Sequence, residues 1–131
     1  MINGLLTEAA RPHWAAAARN RLTIPSCGTC GHLFWPPARI CPHCLDQDIV
    51  WRDIPPTGMI TAAATFHRPY HDVPWLTVPY IVVLVTLDAG PSMFSNLIGG
   101  EAAIGARVTA HFHPVGPDEA IVQFTPTDFD A

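Results

Sequence analysis

The sequence predicts a mainly β protein: a small closed or nearly closed barrel, preceded by a cysteine-rich ribbon and one short helix. Three observations carry that expectation. Fourteen prolines and nine glycines in 131 residues favour short elements and many turns, which excludes a helical bundle. Five runs with strand character follow residue 53, separated by turn chemistry. All four cysteines fall between them and the amino-terminal segment, in two C-x-x-C pairs. Closure of the five strands is expected because it removes exposed sheet edges. The length suits one domain or two small ones, organised as a helical segment (1–22), a ribbon (23–52) and a barrel (53–131).

In the first zone Pro12 stands where a helix begins, since its missing N–H is not needed there. Residues 13–20 follow with alanine-rich helix formers. Trp14 is the one large anchor, and Asn20 is the stop signal. So short a helix does not persist alone in water and must dock. In the third zone the first strand covers 59–68. Pro69 and Pro74 then interrupt a loop carrying Tyr70 and Trp75. The second strand, 80–87, is apolar on both faces and reads as buried on both. Asp88-Ala89-Gly90-Pro91 turns the chain, residues 92–98 return as a hairpin partner, and Gly99-Gly100 ends that strand. Residues 107–113 alternate Val108, Ala110 and Phe112 against Thr109, His111 and His113. A Pro-Asp turn leads into the last strand, 120–125.

Apolar residues make up 49% of the chain, which argues against disorder. Charged residues reach only 14%, against about 25% in ordinary soluble domains. Much of the surface is therefore uncharged, as expected of a chain held against a partner. The net charge is −4, and all seven basic residues are arginine. The absence of lysine excludes Schiff-base chemistry on this chain. The arginines form no stripe that could follow a phosphate backbone, so the footprint of nucleic-acid binding is missing. The longest apolar run, 81–85, is far shorter than a membrane span. Residues 1–6 lack the basic and apolar regions of a secretory signal. A cytoplasmic protein with reduced thiols is expected.

Cys27 and Cys30 are followed by ten residues and then Cys41 and Cys44. Each pair supplies two thiolates from one tight knuckle, and two knuckles complete a tetrahedron of sulfur around zinc. Gly31 suits the turn from which backbone amides point at the sulfurs. A thioredoxin-like redox site needs one such pair at a helix start, not two facing each other. Four thiolates leave no open position for water or substrate. The expected zinc, one per chain, is thus structural and folds a stretch too small for a core of its own. Iron fits the same tetrahedron.

The seven histidines do not assemble a catalytic set. His32 and His43 lie beside the knuckles, but four cysteines already complete the site, so both are expected to face solvent. His67 and His71 have the i, i+4 spacing of helical metal sites, yet Pro69 and the preceding strand argue against a helix there. His111 and His113 point outward from their strand with no nucleophile or carboxylate beside them. No serine sits in a G-x-S-x-G elbow, and no glycine-rich loop precedes a helix. Trp14, Trp35 and Trp51 are read as packing anchors. Trp75 lies in a proline-bracketed loop that suits burial by a partner. Arg68, Tyr70, Trp75 and Tyr80 mark that loop, 68–80, as the candidate partner-facing segment.

The order of parts is specific. Arg11-Pro12-His13-Trp14 leads to the double knuckle, then Trp51 and Gly58-Met59-Ile60. Pro79-Tyr80 opens the apolar strand, followed by Ser95-Asn96-Leu97-Ile98-Gly99 and Ile104-Gly105-Ala106-Arg107-Val108. From Arg11 to Phe124 this resembles the DUF35 family of zinc-ribbon, OB-fold proteins. The resemblance implies an N-terminal helix, a rubredoxin-like zinc ribbon held by Cys27, Cys30, Cys41 and Cys44, and a five-stranded OB-fold barrel. It also implies a non-catalytic accessory subunit that stabilises a thiolase-fold enzyme and helps shape its coenzyme A or acyl channel. A CoA thioester would be the substrate of the complex, with two partner subunits and two of these chains.

Within that class a lipid-transfer-protein-like aldolase is expected, performing retro-aldol cleavage of an acyl-CoA such as a steroid side chain. A thiolase or acyltransferase partner is the alternative. Two readings of other classes stand beside it. One is an OB-fold nucleic-acid-binding module. The other is an enzyme acting on acyl thioesters through His67 or His71.

Overall fold

The structure is a computed structural model that describes residues 10–68 and 78–127. Helix α1 (Arg11–Ala17) opens it, with Pro12 in the first turn. The chain leaves the helix through Asn20, whose φ of 60° is the left-handed conformation that ends a helix. Spacing of 13, 16 and 17 puts one helix face inward, and His13, Ala16 and Ala17 are its buried residues. The expected anchor, Trp14, is only half-buried. The histidine one position earlier lies on the buried face instead.

Strands β1 (Thr23–Cys27) and β2 (Ile49–Asp53) pair antiparallel, from Thr23↔Asp53 to Cys27↔Ile49. The two cysteine knuckles lie between them. Five more strands follow: β3 (Thr57–Phe66), β4 (Tyr80–Leu87), β5 (Ser92–Leu97), β6 (Arg107–Gly116) and β7 (Glu119–Pro126). They close into a barrel in the order β3-β4-β5-β7-β6. The five expected strands are all present, with shifted ends. The β6–β7 hairpin runs on to Gly116↔Glu119, past Pro114, which sits at a register shift. A residue without an N–H is tolerated at such a bulge.

Two seams complete the closure. Residues Thr57, Gly58 and Met59 of β3 pair with Thr109, Val108 and Arg107 of β6. On the other side β5 meets β7 in parallel at Leu97↔Phe124, and the Ile98 amide donates to the Phe124 carbonyl at 2.8 Å. Gly58 lies between β4 and β6, where a Cβ would come within 2.6 Å of the Thr86 carbonyl oxygen. Only glycine allows strands to approach so closely there.

Ile60, Val83, Val85, Leu87, Met93, Leu97, Val108 and Phe124 fill the barrel, and Ala17, Leu22 and Ile24 join the same cluster. Helix α1 packs on β7, so Ala120 to Phe124 are buried on both faces of that strand. The expectation for β4 needs correcting. Its residues alternate between buried Val83, Val85 and Leu87 and half-exposed Val82, Leu84 and Thr86. Only one face of β4 meets the core, because no described element lies over the other.

Candidate metal centre and partner-facing residues

Strand β1 delivers Cys27 to the edge of the core, and the chain folds back at once. The Gly31 amide donates to the Cys27 carbonyl at 2.8 Å, with Gly31 at φ 78°. The second knuckle repeats the device: the Leu45 amide donates to the Cys41 carbonyl at 2.9 Å, with Leu45 at φ 67°. The left-handed region is inexpensive for glycine and strained for leucine, so the second turn is held by its surroundings. Thr29 Oγ1 donates to Asp46 Oδ2 at 2.9 Å, tying the knuckles together.

The four sulfurs lie within 4.8 Å of one another. Cys27 Sγ is 3.5 Å from Cys44 Sγ, and Cys30 Sγ is 3.7 Å from Cys41 Sγ. Zinc–sulfur bonds of about 2.3 Å in a tetrahedron put sulfurs roughly 3.8 Å apart, so the donor set fits. Backbone amides aim at the sulfurs, from Cys30 to Cys27 Sγ at 3.4 Å and from His43 to Cys41 Sγ at 3.3 Å.

Electrostatics points the same way. The Cys30 amide is the main influence that brings the Cys27 thiol down to about 7. Cys44 has the Asp46 amide to favour its thiolate, yet desolvation and the other three sulfurs push it up to about 12. Cys41 is lowered, against desolvation, by the amides of Cys44 and His43, whereas Cys30 is raised. Four sulfurs this close cannot all carry negative charge unless a cation sits among them.

His32 and His43 are exposed, their ring centroids 5.3 Å apart, and neither belongs to the sulfur cluster. The partner-facing candidates separate. Arg68 is exposed. Tyr70 and Trp75, with His71, lie outside the described residues. Tyr80 is only 8% exposed and stacks on Phe66 at 5.3 Å, so the exposure expected of it is not found: it opens β4 and closes against β3. His67 and His111 are exposed and His113 is half-buried.

Two residues gain a role that the sequence did not assign. His13 is 1% exposed, its Nδ1 lies 2.9 Å from the Thr23 carbonyl, and its ring sits 4.6 Å from Trp14 and 4.5 Å from Trp35. A carbonyl only accepts, so Nδ1 carries the proton. Burial lowers its pKa to about 4 against the smaller opposing effect of the Thr23 bond. Phe94, on β5, is 72% exposed. The spacing of His13 with Ala16 and Ala17 could have flagged the first, whereas nothing in the sequence turns Phe94 outward. No helix among the described residues is long and apolar enough to cross a membrane.

Comparison with known proteins places these parts. Residues 14–50 match the model for the ChsH2 rubredoxin-like zinc ribbon domain, and residues 51–113 the ChsH2 C-terminal OB-fold domain. A solved chain described as "Ltp2-ChsH2(DUF35) aldolase" is 30% identical, with a TM-score of 0.80 over 92% of this chain and 95% of that one. A DUF35 protein of unknown function from Sulfolobus solfataricus shares the fold at 13% identity, with a TM-score of 0.64 over 91% of this chain and 85% of that one. A "Probable enoyl-CoA hydratase alpha subunit" of Thermomonospora curvata is 32% identical over 114 residues, 85% of this chain. The chain spans only 35% of that relative's length.

Proposed function

The chain belongs to the ChsH2 type of the DUF35 family, and from that premise we propose that it is a non-catalytic accessory subunit of a thiolase-fold, acyl-CoA-directed enzyme. The observation that carries this reading is the likeness, over almost the full length of both chains, to the solved aldolase chain. The partner in this reading is a lipid-transfer-protein-like aldolase that cleaves a CoA thioester by a retro-aldol step, with a steroid side chain as one such substrate. The assembly is two plus two and cytoplasmic, and this chain helps shape the coenzyme A or acyl channel.

The chain's own chemistry agrees. Arg21 pairs with Asp53, Arg107 with Asp88 and Arg11 with Glu119, so these three arginines are already neutralised and do not form a phosphate-binding stripe. Cys27, Cys30, Cys41 and Cys44 hold one zinc, which cross-links the two knuckles and has no open position for substrate. A second reading, favoured by the Thermomonospora relative, makes the chain a module serving an acyl-CoA hydratase.

The test is affinity purification of the tagged chain from its native host, with bound proteins identified by mass spectrometry. Recovery of a thiolase-fold protein in near-equal amount, with acyl-CoA cleavage by the pair and none by the chain alone, is the expected result. Recovery of a hydratase moves the conclusion to the second reading. Recovery of nucleic acid with a steep salt dependence overturns both.

A further inference from the structure

We propose that the thiolase-fold subunit docks on the outer wall of β3, β4 and β5 and on the free edge of β3 at residues 61–65; the identity of the occupant rests on the function proposed above. Residues 61–65 are exposed on both faces of their strand, unlike Ile60 beside them, which is 1% exposed. They pair with β4 on one side only. The pairing of β3 with β6 stops at Met59, and the last backbone bonds on that edge link Ile60 to Gly105 and Ala106. From residue 61 to residue 65 the main-chain groups of this edge meet no partner among the described residues. An unpaired strand edge is a template for an added strand.

The wall beside that edge is uncharged and, apart from Asn96, apolar. Register places Ala62, Leu84 and Phe94 in one row across three strands, and Ala64, Val82 and Asn96 in the next. Val83, Val85 and Met93 on the opposite face are buried in the core, so these six side chains point away from it. Leu84 and Val82 stay half-exposed and Phe94 is 72% exposed. The β7 wall differs, since α1 already covers it.

The occupant therefore needs an extended main-chain segment for the β3 edge, together with an uncharged apolar surface that receives the Phe94 ring. A second copy of this chain meets the two requirements only one at a time: packing wall on wall would cover Phe94 and leave the β3 edge open. Pairing of β3 with β3 would extend the sheet sideways and leave Phe94, two strands or about 10 Å from that edge, uncovered on the sheet face. A larger subunit reaching over the edge covers both.

Hydrogen exchange of the chain, alone and in complex with the co-expressed thiolase-fold subunit, tests this. Amides of residues 61–65 are expected to slow by about tenfold or more in the complex. Phe94→Asp is expected to weaken binding by about 30-fold or more, as loss of a central aromatic anchor does, with metal content and melting temperature unchanged. His111→Asp, an exposed position on β6, serves as the control and keeps wild-type affinity.

Wild-type binding with unchanged exchange at 61–65, or Phe94→Asp binding as wild type does, overturns the docking site while the proposed function stands. A wild-type chain with no affinity for the subunit overturns the function and the docking site together. A dimer of the chain alone that protects 61–65 assigns the edge to a second copy and also overturns the proposal.

Discussion

The ribbon and the barrel are stabilised in opposite ways. Between Cys27 and Ile49 the buried residues are Cys27, Phe34 and Cys41, too few to form a core, and order comes from four convergent sulfurs and the amides around them. The barrel has no such centre and relies on a continuous apolar interior from Ile60 to Phe124. Strand β1 belongs to both: Ile24 is fully buried in the barrel cluster, and Cys27, three residues on, enters the metal site. Ligand chemistry and apolar burial are thus coupled through one short strand.

The sharpest way to break the comparison is Cys41→Ser. Cys41 is fully buried and supplies one of the four sulfurs. Structural zinc contributes on the order of 10–16 kcal/mol to such sites, far more than three buried side chains. We expect zinc to fall from about one per chain to a small fraction of that, and amides of residues 28–48 to exchange freely while β4 and β7 stay protected. Metal analysis with hydrogen exchange checks this. A ribbon that stays protected without metal would falsify the account.

Phe124→Ala attacks the other side. Phe124 is fully buried and pairs with both Ala110 of β6 and Leu97 of β5. Truncating a large buried aromatic costs about 3–5 kcal/mol. A loss of that size in the free energy of unfolding, read from the shift of the denaturant midpoint, with zinc content intact below the transition, is the expected outcome. A smaller loss would mean that the metal site, through β1, carries part of the barrel's stability.

Much of this was legible in the sequence, for reasons that also mark where legibility stops. The cysteine spacing fixes the donors because ligand geometry is local. The strands of the barrel follow from alternation and turn residues, which are local too. Which face of a strand looks outward is decided across strands. Phe94 faces out because Met93 on one side of it and Ser95 on the other face in, and Ser95 Oγ donates to the Val122 carbonyl at 2.7 Å. Tyr80 has the bulk of a partner-facing residue, but its stacking partner Phe66 lies across a strand pair, out of reach of any local pattern. Trp14 is the larger side chain of the helix, but helical periodicity with Ala16 and Ala17 puts His13 on the buried face.

His13 also gives the smallest of the three effects, and it concerns the joint between the two regions. Its ring is held between Trp14 of the helix and Trp35 of the ribbon, and its Nδ1–H donates to β1. An unfolded histidine takes a proton near pH 6.5, whereas this one resists until about 4. Above 6.5 both states are neutral, and His13 adds no pH dependence. Between 6.5 and 4 the unfolded chain binds a proton that the native chain refuses, so stability falls as the pH is lowered, by up to about 3 kcal/mol. Below 4 this loss is complete.

The neighbouring carboxylate, Asp53, accepts from Thr23 Oγ1 and from Arg21, which hold it below its ordinary range; its contribution is lost at lower pH, outside the window. His13→Phe keeps an aromatic ring between the tryptophans and removes the titration, while leaving the Thr23 carbonyl without its donor, at about 1–3 kcal/mol. The variant should therefore be less stable than wild type at pH 7, and the gap should narrow as the pH falls toward 4. Denaturant midpoints across that range decide the matter. Parallel curves for the two proteins would mean that the joint does not feel the charge on this ring.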